Sequence, residues 1–536
     1  MDEKEKAQNT PIDTSWIRAL SLNLIPPSLG DNTADADRLI KAAGLQLDSD
    51  SVSIPFARLA GLPKTLRNSG YRTSAVFFKD EGRWQLIDLF PPETDGGLYV
   101  AAVDLGSSTV VVRLLDLASG ETRDEISFHN PQIRLGDDIL TRIHYAGEPG
   151  GLAELQGLLI DRLNEALRAM VELQGVEPRA IVGMTAAGNT AMTHFFLGLD
   201  PYWICREPYI PVVNAPSMVA ASEPGIGINA QAPVLVFPNV GSYFGGDLIA
   251  GILASGMMDQ DEVSFLVDVG TNAEVVVGNR DWLMACAGAA GPALEGGVAN
   301  MGMMAGPGVI DRVRIDPESD RFRINTIDDQ PPMGICGSGL IDLTAALFLK
   351  GMIDLRGKFV PERCGERLTD MDGIPHFLVV TAEASGTGQA LTLSQPDIDG
   401  LIRSKAAMYT ILNTIANTVN ISLNEIKRFY VAGTFGSYID PQSAITIGMI
   451  PDLPLDRYVS LGNTSLIGAA AALVSAEAKK DIHCIRDRIT YLELNVNQEF
   501  MNLFSAAKFI PHTDRSLFPS VKRQVSKENI KNENIE

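Results

Sequence analysis

Leu98-Tyr-Val-Ala-Ala-Val-Asp104-Leu-Gly106-Ser-Ser-Thr109-Val-Val-Val-Arg113 returns in nearly the same form about 160 residues later, as Phe265-Leu-Val-Asp268-Val-Gly270-Thr271-Asn272-Ala-Glu274-Val-Val-Val277. Each stretch reads as a buried apolar strand, an acidic residue, a glycine turn carrying hydroxyls and a second Val-rich strand, which together make a hairpin. Glycine in the turn lets backbone N–H groups approach an anion closely, the hydroxyls add donors, and the carboxylate is placed to hold a cation. A single D-x-G is most simply a turn cap. Two copies in register imply a duplicated unit, and two such hairpins facing one another would clamp a phosphate.

The repetition continues outward from the hairpins. Residues 151–176 carry apolar positions at helical spacing and lead into Ala180-Ile-Val-Gly-Met-Thr185-Ala-Ala-Gly188-Asn189-Thr190. Residues 397–426 repeat that order, a long helical pattern before Phe429-Tyr-Val-Ala-Gly433-Thr434-Phe435-Gly436. Each half therefore reads hairpin, helix, then a strand ending in a glycine turn. The expected fold class is α/β, with two duplicated halves and ligands at the strand ends. A third glycine-rich stretch, Gly334-Ile-Cys-Gly337-Ser338-Gly339, opens another apolar helical run. Free amides at a helix N-terminus suit an anion, and close helix packing through glycine is the alternative reading.

Paired D-x-G-[ST] hairpins and a late Gly-Thr-Phe-Gly turn resemble the actin, sugar kinase and Hsp70 superfamily of ATPases. More closely, Asp268 to Glu274, Ala290-Gly-Pro-Ala-Leu-Glu295-Gly, Gly334 to Leu340 and Gly433 to Gly436 resemble the reductive activators of corrinoid proteins, from about Trp16 to Pro519. Asn130-Pro-Gln132, Gly136-Asp137-Asp138 and Phe509-Ile-Pro-His512 are part of that likeness. The resemblance implies duplicated actin-like (RNase H-like) halves behind a small N-terminal α+β linker domain. It implies an ATPase that helps return an inactive Co(II) corrinoid protein to Co(I), and suggests a homodimer. ATP and Mg²⁺ would be the cofactors, with Asp104 and Asp268 holding the metal. Gly106, Ser107, Ser108, Gly270, Thr271, Asn272, Gly337, Ser338 and Gly339 would contact phosphates or nucleotide, and Gly433, Thr434 and Phe435 would face adenosine. Glu295 is the candidate for orienting the attacking water, with Glu274 and Gln132 behind it. Asp247 reads equally as a helix cap.

Relatives of this kind carry an iron–sulfur domain, often an N-terminal plant-type 2Fe–2S module that needs four thiolates. Here five cysteines stand at 205, 286, 336, 364 and 484, none in a C-x-x-C, so no iron–sulfur cluster is expected in this chain. Either a separate low-potential donor supplies the electron, or the ATPase serves another use, as a small-molecule kinase or a nucleotide-gated scaffold. Leu62-Pro-Lys-Thr-Leu-Arg67 and Trp84-Gln-Leu-Ile-Asp88 match the linker region of these activators. No D-x-H-x-x-G cobalamin signature is present, so the corrinoid is expected on a partner.

Composition agrees with this. The 536 residues, 45% hydrophobic, suffice for two or three cores. A formal net charge of −22 argues against nucleic acid and anionic membranes as partners. The charged start Met1-Asp-Glu-Lys and the scattered cysteines suggest a cytoplasmic protein. Expected boundaries are a polar N-terminus at 1–12, a linker-type module at 13–95 and a first half at 98–205. A second half at 206–520, with an insertion at 359–395 and a stretch at 476–520 packing back on the core, is followed by a disordered tail at 521–536.

Overall fold

The computed structural model describes residues 15–92, 97–270, 273–288, 301–316, 321–494 and 498–521. The expected N-terminal segment 1–12, nearly all of the tail 521–536, and Thr271, Asn272 and Glu295 lie outside the described residues. The chain forms two compact units, residues 1–254 with 464–487, and residues 255–463 with 488–536.

The first unit begins with a four-stranded sheet in the order Ile17–Asn23, Arg72–Asp80, Arg83–Phe90, Val52–Ser53. Leu20 and Leu22 alternate inward and meet Leu39, Phe77, Trp84 and Leu86. This is the α+β module read from the linker motifs. Its sheet is fastened to the rest of the unit through Asp88, 4% exposed, which accepts from Arg179 Nε at 2.7 Å and Asn229 Nδ2 at 2.8 Å. Burial pushes the Asp88 carboxyl up, and these donors outweigh it and hold it low.

Next comes a six-stranded sheet in the order Thr122–His129, Thr109–Asp116, Tyr99–Leu105, Ile181–Gly188, Pro233–Val236, Val219–Ala220. The first three strands are antiparallel, and Ile181–Gly188 and Pro233–Val236 add in parallel. The intervening helix, Gly151–Leu173, buries Leu155, Leu159, Leu163 and Leu167 on one face, a strict i, i+4 stripe.

Two boundaries differ from the sequence reading. The first half does not end at 205, because Val219–Ala220 and Pro233–Val236 complete its sheet and the helix Gly246–Ser255 follows within the same unit. Backbone pairing decides this boundary, and the Pro-rich loop after 205 concealed it. Nor does 476–520 act as one block. The helices Thr464–Val474 and Ala476–Arg488 return to the first unit, where Ala472 O accepts from Trp16 Nε1 at 2.6 Å and Ala469 O accepts from Thr185 Oγ1 at 2.8 Å.

The second unit repeats five strands of that sheet, in the order Tyr458–Gly462, Arg428–Ala432, Ser264–Val269, Ala273–Gly278, Leu283–Gly288, and adds Ile489–Tyr491 on the opposite edge from the one Val219–Ala220 occupies in the first. Its long helix, Gln395–Thr418, opens on a capping box in which Asp397 Oδ2 accepts from Ser394 N at 2.8 Å and Ser394 Oγ accepts from Asp397 N at 3.3 Å. Between hairpin and helix stand two three-stranded sheets and the helix Gly337–Leu349, buried from Gly337 to Phe348. The segment read as an insertion forms the second of these sheets, Leu368–Met371, Ile374–Val380 and Leu391–Ser394. Among the described residues, no helix is long and apolar enough to cross a membrane.

Candidate nucleotide-binding site

In Tyr99–Leu105 every residue is buried except Asp104, and in Ser264–Val269 every residue is buried except Asp268. Each acid is the last but one residue of its strand. Asp104 lies beside Val111 on the antiparallel side and Ala187 on the parallel side; Asp268 lies beside Glu274 and Ala432. The residue after each parallel neighbour is a glycine, Gly188 or Gly433. Two carboxylates thus stand at equivalent mouths of equivalent sheets, where the apolar strand ends and water begins.

The turn of the first hairpin has a definite polarity. Gly106 O accepts from Asn130 Nδ2 at 3.0 Å, Ser107 O from Arg142 Nη1 at 2.7 Å, and Ser108 O from Asn130 N at 2.9 Å. In a planar trans peptide the C=O and the next N–H point in opposite directions. Three successive carbonyls held from one side therefore turn the amides of Ser107, Ser108 and Thr109 to the other, the arrangement that receives an anion. Gly106 is required because a Cβ there would strike the Thr109 carbonyl. Asp104 Oδ1 accepts from Ser465 Oγ at 2.8 Å. Ser465, in the first turn of the helix Thr464–Val474, is a site residue that sequence reasoning missed. Its only signal is a small hydroxyl pair, Thr464-Ser465, opening an Ala-rich helix.

The second hairpin is built differently. Asp268 and Glu274 are directly opposite on antiparallel strands, so their side chains share one face. Like charges so placed repel unless a cation or donors intervene. Gly433, at the end of Arg428–Ala432, has φ +80°, and a Cβ on it would lie 2.7 Å from Asp268 Oδ1. Glycine is needed there for conformation and for space. The short helix Gly433–Tyr438 follows; the side chains of Thr434 and Phe435 are outside the described residues. Gly270 closes the described part of the turn and is half-buried.

Gly337, Ser338 and Gly339 form the first turn of Gly337–Leu349 and are buried. Ser338 Oγ donates to Asp311 O at 3.1 Å, and a Cβ on Gly339 would strike the Ile310 carbonyl, so this stretch packs closely on the strand Val309–Ile315. One turn further on, Asp342 is 3% exposed and accepts from Val313 N at 3.2 Å. Burial pushes its carboxyl up to about 6, and its Oδ1 is buried with no hydrogen-bond partner among the described residues.

Two weaker candidates fall to structural roles. Gln132 is fully buried and donates to Leu155 O at 2.9 Å, which places it behind the hairpin rather than at water. Asp247 sits inside the first turn of Gly246–Ser255, where it accepts from Leu248 N at 2.9 Å.

Family profiles match along nearly the whole chain: the RACo linker region over residues 7–96, the RACo middle region over 99–260, and the C-terminal domain of RACo, the ASKHA domain, over 262–522. The corrinoid activation enzyme RamQ of Eubacterium limosum is 30% identical over 503 residues, spanning 91% of this chain and 82% of that protein. The chain belongs to the reductive activators of corrinoid proteins. Within this family, a Co(II) methylated amine-specific corrinoid protein reductase of Methanosarcina barkeri is 23% identical over 441 residues, 76% of each chain. The solved structure of a reductive activator for corrinoid, iron-sulfur protein superposes with a TM-score of 0.86 at 36% identity, covering 97% of this chain and 84% of that one. Activators of this family and the present chain therefore share fold and domain order, with the actin, sugar kinase and Hsp70 type of domain at the C-terminal end.

Proposed function

We propose that the protein binds MgATP at its paired hairpins and, powered by ATP hydrolysis, drives the one-electron reduction of a partner corrinoid protein from Co(II) to Co(I). The observation that carries the reading is the twice-built strand whose single water-reaching residue is an aspartate before a glycine turn. The residues present fit the cofactors. Outward amides at 107–109 suit phosphate oxygens, and the opposed Asp268 and Glu274 suit a hydrated Mg²⁺, with Asp104 as a further carboxylate. Bound MgATP would supply the free energy of hydrolysis.

The chain's own groups then have distinct tasks. Ser465 holds the Asp104 carboxylate in one orientation through its hydroxyl. Gly433 lets the adenosine turn pass close to Asp268. Glu274 and Glu295 are the carboxylates proposed to orient water. In this reading the reducing electron comes from a separate low-potential donor protein. Cys286 and Cys364 are buried with their thiols pushed up in pKa, which disfavours the thiolate that a cluster needs.

The experiment is an anaerobic incubation of this protein with a Co(II) corrinoid protein, a low-potential donor and MgATP, followed through the Co(I) absorbance. Co(I) that forms only when protein, donor and ATP are all present is the expected result. ATP turnover with a phosphorylated small molecule and no effect on cobalt would overturn the reading in favour of a kinase.

A further inference from the structure

The segment Asn130 to Arg142 offers the expected catalytic set only Gln132, which is buried against Leu155 O, yet it carries two motifs of the family likeness. Arg142, on the helix Ile139–Ala146, is completely buried. A guanidinium stays charged inside a protein, so burial demands partners. Arg142 Nε donates to Gly136 O at 2.8 Å and Nη1 donates to Ser107 O at 2.7 Å, while Nη2 is buried with no hydrogen-bond partner. The negative charge acting on it comes from Asp138 and Asp137, and Asp138 is engaged as the helix N-cap, accepting from Thr141 N at 2.8 Å. At Gly136 a Cβ would lie 2.9 Å from Thr141 Cγ2 and 3.0 Å from Arg142 N, so glycine is what lets the chain close around the guanidinium. A cation with two carbonyl partners and a spare donor thus sits directly behind the turn 106–108.

We propose that Arg142 is the positioning residue of the first phosphate turn, pulling the Ser107 carbonyl inward so that the Ser108 amide faces the oxyanion, and lending the turn its fixed positive charge. Asn130 performs the matching task on Gly106 and Ser108. The inference rests on the MgATP reading and adds the source of its anion affinity. It also gives Asn130-Pro-Gln132 and Gly136-Asp137-Asp138 a common purpose, bracing a loop to which they are not adjacent in sequence.

The test compares binding of ATP and of adenosine by calorimetry in the full chain, for the wild type, Arg142→Lys, Asn130→Ala and Arg58→Lys. Arg58 serves as a control because it donates to Asn229 Oδ1 at 2.7 Å in the linker joint of the same unit. Expected are an ATP affinity lowered at least about tenfold in Arg142→Lys and about fivefold in Asn130→Ala, with adenosine affinity within about twofold of the wild type. Arg58→Lys should lower thermal stability and leave the ATP-to-adenosine ratio unchanged. A ratio in Asn130→Ala and in any folded Arg142→Lys equal to that of Arg58→Lys overturns the positioning role alone. Wild-type protein that binds adenosine but gains nothing from the phosphates overturns this inference and the MgATP reading together.

Discussion

The two hairpins share strand order and the placement of one acid, and differ in register by one residue and in what surrounds that acid. In the first unit Asp104 has an apolar cross-strand neighbour, Val111, and a hydroxyl donor, Ser465, while the carbonyls of its turn are tied back by Asn130 and Arg142. In the second, Asp268 has an acidic cross-strand neighbour, Glu274, and a glycine, Gly433, at close range. Duplication repeated the strand order and varied the surroundings: the first hairpin turns backbone amides outward, and the second sets two carboxylates side by side.

The sharpest break of that division is the pair Asp268→Asn with Glu274→Gln. If the second hairpin holds the metal, Mg²⁺-dependent ATP hydrolysis should fall by at least about 1000-fold, roughly 4 kcal/mol of transition-state stabilisation. A steady-state assay over a Mg²⁺ series checks this; activity recovered at high Mg²⁺ would assign the pair to metal affinity alone.

Next in size is a pH effect behind the second hairpin. The Asp342 carboxyl is raised to about 6 from an ordinary 3.8, so between these values the folded chain binds more protons than the unfolded one. Wild-type stability contributed by this group is therefore present at low pH and lost as pH rises through about 6. Asp342→Asn cannot titrate, and its stability relative to the wild type should climb from pH 4 to pH 7 by as much as ~3 kcal/mol, seen in denaturant melts. A flat difference would show that the Asp342 carboxyl titrates at an ordinary pH in spite of its burial.

Gly433→Ala sharpens the comparison at the turn that follows Arg428–Ala432. A side chain at φ +80° costs ~1–2 kcal/mol, and its Cβ also meets Asp268. Lower thermal stability with ATP binding weakened about tenfold is expected by calorimetry. Ser465→Ala is the mildest variant: loss of one hydroxyl donor is worth ~1 kcal/mol, a three- to tenfold fall in hydrolysis with little change in the Mg²⁺ requirement.

How much of this was legible in the sequence follows from contact range. Hairpins and their helices are local patterns, so alternation, helical spacing and D-x-G turns announced them, whereas the linker module was announced by its likeness to the linker region of the family. The partner of Asp104 was not legible, because Ser465 is 361 residues away and no local pattern distinguishes it from any hydroxyl opening a helix. Arg142 was hidden by its type, since an arginine on an amphipathic helix ordinarily faces solvent. The limit of the first half was misplaced because a two-residue and a four-residue strand, Val219–Ala220 and Pro233–Val236, are too short to carry periodicity and gain their identity only from pairing.

The division of labour is tested most directly by Mn²⁺ paramagnetic resonance in the presence of ATP, reading the loss of the free-ion signal in the wild type, in Ser465→Ala and in Asp268→Asn with Glu274→Gln. The account expects Mn²⁺ to bind with ATP in the first two and to stay free in the third. Binding that survives in the double variant and disappears in Ser465→Ala would place the metal on the first hairpin and contradict it.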